Sequence, residues 1–530
     1  MREAEGETAA RSAPGEPERS GVRGLAAQLW SPPYRRALAW AAPVLLLAYG
    51  FAMTNFALAG DDWFAIVPEG SQDSVYALVA GRWLMPVVWA ITGNNAFVPY
   101  FTFAVALVLL AAAGLVACAT WGFKRPWAVF SVVTLFAANP LFTDTLAVKP
   151  AHVTSPLAMV CAAGAGWVLL RWAGGPARRI AVAAGLLVPA LAAYQPTALA
   201  FVVVVIGAEV IAFTMADGGY RRGAVRRWAE ILAAVAAGLL VYILSVRVSW
   251  WLTGTDPQAA QPGYSLGGGY PSSPGELGDA LRYGLGKVGR FWFGSTSLYP
   301  IVLKACSLAV ALAGMAAAAA AAVAGAGRGS WRSKTGRVAW VALLGLVSVV
   351  APFAVLLLRE EPPLRGAVFA TVGLALGFWA GMLVERLAAS RVSGPPRAVA
   401  GAAAALYLGN QRDLANANRM LSVMEQMPEF SRGTAIRVAL VGQVRFFVPA
   451  GPFTDEVPDV PGVSIVNCSG LACQNRLVRM FNLIGAGDRE FLRRSAPDNA
   501  AAAALIESMP GWPEPGSIRF LGGVFVVKGS

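Results

Sequence analysis

Residues 39–66 read AWAAPVLLLAYGFAMTNFALAGDDWFAI. A run of almost unbroken hydrocarbon ends there on two adjacent carboxylates, Asp61 and Asp62, set directly against Trp63 and Phe64. The run has the length of a membrane span, about 20 residues for roughly 30 Å of hydrocarbon. The rest of the chain fits that reading. Its 530 residues are 56% hydrophobic and 14% charged, with a mean hydropathy of +0.56. A soluble domain carries about 25% charged residues, so most of this surface faces lipid. The net charge of +13 does not mark a nucleic-acid binder. The basic residues lie in short runs between apolar stretches, not gathered into one stripe.

Apolar runs near 37–58, 97–120, 126–143, 154–172, 180–195, 197–215, 229–251, 298–325, 338–358, 365–385 and 396–410 predict an all-α polytopic membrane protein of about 11 spans. Residues 1–35 are polar and rich in Gly, Pro and Glu, and are expected to form a disordered cytoplasmic tail. GLAAQLW, at its end, suits a segment lying along the membrane surface. The tail lacks the short apolar core and small-residue cleavage site of a signal peptide.

Lys and Arg in short loops set orientation. The loops WGFKRP, RWAGGPARR, GGYRRGAVRRW, GRGSWRSKTGR and ERLAASRVSGPPR hold 16 basic residues. The alternate segments 59–96, 144–153, 193–197, 252–297 and 359–364 hold six in much more sequence. The first set is expected inside, with the amino terminus. Every polar outlier then falls on the outer face.

Residues 411–530 change character. NQRDLANANRMLSVMEQM reads as an amphipathic helix, and AIRVALVG, VSIVNC and SIRFLGGVFVVK read as strands. A small extracytoplasmic α/β domain is expected. Cys468 and Cys473 sit in it as CSGLAC, a pair suited to a loop disulfide on the outside, with free thiols or a half zinc site as the other readings. Cys118, Cys161 and Cys306 lie in spans, as packing residues.

The outer loops carry the candidate chemistry. Asp61 and Asp62 read either as a general base with its partner or as a polar helix end. The next segment, SQDSVYALVAGRWLMPVVWAITG, is amphipathic and aromatic-rich and contains Arg82. It would form one wall of a site beside the acids. Arg359 and Arg365 flank EEPPL; they can grip a phosphate or pair with Glu360 and Glu361. Lys149 and the single histidine, His152, share one short loop. Tyr194 and Gln195 stand at a turn closed by Pro196, where Tyr can stack on a sugar and Gln can bond its hydroxyls, or where Tyr anchors the interface. Segment 252–297 begins Gly/Pro-rich and ends basic and aromatic. No Walker A loop, Rossmann fingerprint, zinc-protease motif or nucleophile elbow is present.

The acidic pair, GRWLMPVVWAITG, Asn139-Pro140 in FAANPLFTDTLAVKPAHVTSPLAM, and Tyr194-Gln195 in ALAAYQPTALAFVVVVIG occur in an order that resembles the bacterial glucosyl transferase II family, which includes O-antigen glucosyltransferases. That family is similar to the C-type superfamily of polytopic glycosyltransferases that use polyprenyl-phosphate sugars. The resemblance covers most of 37–420 and weakens beyond 200. It implies inverting transfer to a glycan or glycolipid acceptor at a bacterial cytoplasmic membrane. Asp61 or Asp62 would activate the acceptor hydroxyl. Arg359, Arg365 and Lys149 would hold the donor phosphate, and Arg82, Tyr194, Gln195 and His152 would contact substrate. Some superfamily members use a divalent ion, and the acidic pair could hold Mg or Mn; no other cofactor is implied. Where the family carries an aromatic–Arg–aromatic–Asp run, this chain reads VKPAHVTS, a departure that bears on the sugar or acceptor. Two rivals remain: a lipid-linked-sugar transporter or flippase, with repeats and charges lining a path, and an anchoring protein that presents the carboxy-terminal domain.

Overall fold

The computed structural model describes residues 21–54, 77–92, 99–139, 151–215, 220–255, 273–293, 301–324, 331–354 and 371–387, and, near the carboxy terminus, chiefly 435–441, 490–493, 500–510 and 514–528. Asp61, Asp62, Lys149, Arg359, Arg365, Cys468 and Cys473 lie outside the described residues, as does the expected span at 396–410.

The chain is mostly helical. A short α1 (Val22–Leu29) leads into α2 (Pro32–Thr54), α3 (Leu84–Thr92), α4 (Pro99–Trp121), α5 (Pro126–Ala137), α6 (Thr154–Arg171), α7 (Pro176–Ala198) and α8 (Ala200–Met215). Then come α9 (Tyr220–Thr253), α10 (Pro274–Phe293), α11 (Ile301–Ala324), α12 (Trp331–Val350) and α13 (Val372–Leu387). Proline opens α5 and α7 at the first turn, where its missing N–H costs nothing. Among the described residues, six helices are long and apolar enough to cross a membrane: stretches of α4, α6, α7, α9, α11 and α12. Their outward faces are as apolar as the core. Leu232, Leu240, Leu244, Trp251 and Leu346 are all exposed, as expected of side chains that meet lipid.

Close approach, rather than large side chains, joins α13 to α5. Gly373, Gly377 and Gly381 recur every fourth residue on α13. A Cβ on Gly377 would meet the Val132 carbonyl oxygen at 3.0 Å, and one on Gly373 the Leu135 oxygen at 2.8 Å. Small residues at such spacing let membrane helices pack backbone to backbone. Beside this seam Trp121 packs against Phe123 and Phe378 and donates from Nε1 to the Val204 carbonyl at 2.9 Å.

Among the described residues, contacts at the helix ends gather at two poles. At one, the Tyr34 hydroxyl donates to Phe123 O (3.1 Å), and Arg171 Nε to Thr120 O (2.7 Å). The backbone N–H groups of Lys124 and Arg125 both reach Glu385 Oε1, at 2.7 and 2.8 Å, which caps α5 with a carboxylate. Arg386 meets Thr214, Arg227 meets Glu209 and Arg179 meets Glu230. At the other pole Thr102 Oγ1 lies 3.1 Å from His152 Nδ1, and Thr197 Oγ1 donates to Ser155 O (3.2 Å). Among the described residues, the basic residues Lys124, Arg171, Arg179 and Arg227 therefore lie toward one end, and His152, Tyr194 and Gln195 toward the other.

Some boundaries differ from expectation. The basic segment GGYRRGAVRRW is not a loop along its length: α9 begins at Tyr220 and runs 34 residues. Arg226 pairs with Glu230 one turn on, and Arg227 with Glu209 of α8, so these two arginines find carboxylate partners while the helix continues. The end of the expected tail is helical as α1, and α12 starts at Trp331 rather than near 338. The basic, aromatic half of 252–297 forms α10, with Phe291 and Trp292 packed on Phe353.

Near the carboxy terminus β1 (Ala435–Val441), β2 (Glu490–Arg493), β3 (Ile518–Leu521) and β4 (Val524–Lys528) form a sheet of order β2-β1-β4-β3, with α14 (Ala500–Ser508) between β2 and β3 in sequence. β1 runs parallel to both neighbours, while β3 and β4 form an antiparallel hairpin. Gly522 and Gly523 turn that hairpin at φ 55° and 83°, positive values that two-residue hairpin loops demand. The sequence marks β1, β3 and β4 as strands. VSIVNC lies outside the described residues.

Candidate functional site

The candidate site is built around a break in each of two helical segments. In the first, a helical turn ends at Ala80 in a Schellman motif. Gly81 takes φ 74°, its N–H donates to Leu78 O (2.9 Å), and the Arg82 N–H donates to Ala77 O (2.7 Å). The Arg82 carbonyl then accepts from Met85 N at 2.9 Å as α3 begins. Gly81 thus turns Arg82 out between two helical pieces.

The second break is in α7. Tyr194 adopts φ −165°, ψ 99°, an extended conformation inside the helix. Pro196 lacks an N–H and crowds the preceding turn, so the helix opens here. Thr197 Oγ1 lies within hydrogen-bonding distance of the Tyr194 carbonyl, to which it donates at 3.0 Å. Broken backbone at membrane depth needs such partners.

These breaks meet. Arg82 Nε donates to Gln195 Oε1 at 3.0 Å, and the guanidinium carbon lies 4.5 Å from the centre of the Tyr194 ring. Gln195 Nε2 donates to Ala80 O (2.6 Å) and to the Tyr242 hydroxyl (2.8 Å). That hydroxyl donates to Gly81 O at 3.2 Å. Trp250 Nε1 reaches Leu78 O (2.7 Å), and Trp83 Nε1 reaches Ser245 Oγ (2.9 Å), fastening the same turn to α9. Ala77, Met85 and Trp89 pack against Tyr194.

Arg82, Tyr194 and Gln195 are therefore brought together. Gln195 has both amide hydrogens committed to protein acceptors, so it orients Arg82 rather than offering donors to a sugar. His152 is 1% exposed, bonded to Thr102 and set edge-on to Phe103 at 5.1 Å, in the packed interior near the same pole. Cys118 is a buried free thiol and Cys161 a half-buried one, as packing residues should be. Among the described residues no group of three or more His, Cys, Asp or Glu gathers as metal ligands. The sequence reading missed Tyr242, although Tyr242, Ser245 and Ser249 recur at helical spacing on one face of α9. It also missed Glu209 and Glu230, the acids that hold the basic pole.

The family model described as Glucosyl transferase GtrII matches residues 50–380. The chain belongs to the GtrII glucosyl transferase family. The match takes in both breaks and Tyr242, so this junction is part of the glucosyl transferase region, whereas the four-stranded sheet lies beyond it. Glucosyl transferase membership indicates glycosyltransferase activity, and the apolar helices are those of a multi-pass membrane protein. No curated protein and no solved structure matches the chain.

Proposed function

We propose that the chain transfers a sugar from a polyprenyl-phosphate donor to a cell-surface glycan or glycolipid on the extracytoplasmic face of a bacterial cytoplasmic membrane. In this reading the C-type bundle has about 11 spans, the amino terminus lies inside, and the carboxy-terminal α/β unit lies outside. The observation that carries the proposal is the junction of Arg82, Tyr194 and Gln195, at the end of the bundle away from Arg179 and Arg227; in sequence Arg82 belongs to the same segment, 59–96, as Asp61 and Asp62.

The chemistry needs a base and a grip on the leaving group. The carboxylate of Asp61 or Asp62 takes the proton of the acceptor hydroxyl as its oxygen attacks the anomeric carbon. The bond from that carbon to the phosphate oxygen breaks, the configuration inverts, and polyprenyl phosphate leaves with the electron pair. Arg359, Arg365 and Lys149 stabilise the charge that develops on it. Tyr194 backs the Arg82 guanidinium with its ring at the edge of the site, and Arg82 supplies a cation to the bound donor. Asp61 and Asp62 are the residues that would hold a divalent cation, Mg or Mn, which when bound would supply positive charge to the site.

The test is product analysis. The full chain in liposomes receives polyprenyl-phosphate glucose, labelled in the sugar, and a cell-surface glycan fraction. The proposal expects labelled glycan and free polyprenyl phosphate in equal amounts. Labelled donor recovered intact in the opposite leaflet, with no polyprenyl phosphate released, would mean a flippase instead.

A further inference from the structure

Tyr242 stands among lipid-facing neighbours, yet it is itself buried. Val241, Ile243 and Leu244 are about half exposed, whereas Tyr242 is 3% exposed. Its hydroxyl accepts from Gln195 Nε2 at 2.8 Å and donates to Gly81 O at 3.2 Å. The second hydrogen of the same amide goes to Ala80 O at 2.6 Å. Rotating the Gln195 amide would set its oxygen against the Ala80 carbonyl, so the network admits one orientation, with Oε1 toward Arg82.

Arg82 is fixed in turn on one edge and one face: by Gln195 at Nε and by the Tyr194 ring. Its two terminal nitrogens have no hydrogen-bond partner among the described residues. A half-buried guanidinium held this way presents a planar fork whose spacing matches two oxygens of a phosphate. Less freedom is lost when the fork binds, because Tyr242 and Gln195 have already removed it.

We propose that Tyr242 is a positioning residue for oxyanion recognition: through Gln195 and the Ala80–Gly81 carbonyls it holds Arg82 as a rigid fork for the phosphate of a prenyl-phosphate ligand. The inference rests on the transferase reading of this site. Tyr242 acts on the ligand through Arg82; removing its hydroxyl takes away one of the two acceptors of the Gln195 amide and the tie to the Gly81 carbonyl, which loosens the guanidinium on its stem.

The experiment titrates the purified full chain with undecaprenyl phosphate and, separately, with undecaprenol, following tryptophan fluorescence. Tyr242→Phe keeps the ring and its packing. It is expected to weaken undecaprenyl phosphate roughly tenfold, the worth of about one hydrogen bond, and to leave undecaprenol unchanged. Arg82→Lys keeps the charge but loses the fork, and is expected to weaken the phosphate ligand at least as much. The double variant is expected to be no worse than Arg82→Lys, since the two act as one unit. Thermal unfolding of each variant checks folding, and if Arg82→Lys fails to fold, Tyr242→Phe alone decides. Equal losses for phosphate and alcohol would reveal a merely structural tyrosine. Unchanged phosphate binding in Tyr242→Phe, or a wild type that does not prefer phosphate over alcohol, would overturn the proposal. Selective phosphate binding without any glycosidic product would refute the transferase reading and leave this inference standing; normal transfer with unselective binding would do the reverse.

Discussion

Under the proposed mechanism, replacing both Asp61 and Asp62 by Asn is expected to lower sugar transfer by about 10²–10⁴-fold, the usual contribution of a positioned general base, while the protein still inserts and folds. Asparagine keeps the size and polarity of the carboxyl but cannot take the acceptor proton. It also removes two charges from the end of a span, so insertion becomes easier rather than harder. The two single variants should separate the roles. The one that loses nearly as much as the double variant carries the base, and the other loses less because it only orients its neighbour. Initial rates in membranes, normalised to the folded protein recovered, measure this. Wild-type rates in the double variant would remove the base from this loop.

The second large effect is on stability. The Arg179 side chain is fully buried and meets Glu230 at 2.5 Å, and its Nε and Nη1 have no other partner among the described residues. Glu230→Ala leaves that guanidinium unpaired in the interior, at a cost of about 3–5 kcal/mol. Glu230→Gln keeps an acceptor and should cost less. Replacing both partners by Met should recover much of the loss, since an apolar pair carries no desolvation penalty. Thermal unfolding in detergent reads these differences. Because the pair lies at the pole away from Arg82, transfer per folded molecule should not change. A Glu230→Ala variant as stable as wild type would show that water or lipid headgroups reach Arg179.

Local pattern carried much of the architecture into view. The apolar runs mark most helices within a few residues, because a bilayer demands length and composition of each span separately. Gly522-Gly523 between two apolar strands marks the hairpin for a similar reason: the turn conformation is a local requirement. What pattern could not supply was pairing at a distance. GGYRRGAVRRW looked like a loop because Glu209 and Glu230, which pair with Arg227 and Arg226, lie in runs read as plain hydrocarbon. Arg82 and Gln195 are 113 residues apart, and each was a candidate by itself; that one holds the other is a property of the fold. Gln195 looked like a sugar ligand because its type suits that role, and only its hydrogen-bond partners show its donors already committed. Tyr242 gave the faintest signal, a hydroxyl on a lipid-crossing helix, which in isolation reads as interfacial anchoring.

The proposed mechanism requires a prenyl-phosphate head at the pole of Arg82, with the first acidic loop and the arginines near 359–365 both within its reach. Photo-crosslinking tests it most directly. Undecaprenyl phosphate carrying a diazirine beside the phosphate would be irradiated with the full chain, and the labelled peptides sequenced. The account predicts labels within 59–96 and 359–365, reduced by unlabelled undecaprenyl phosphate and by Arg82→Lys. Labels confined to the pole of Lys124, Arg171 and Arg227 would contradict it.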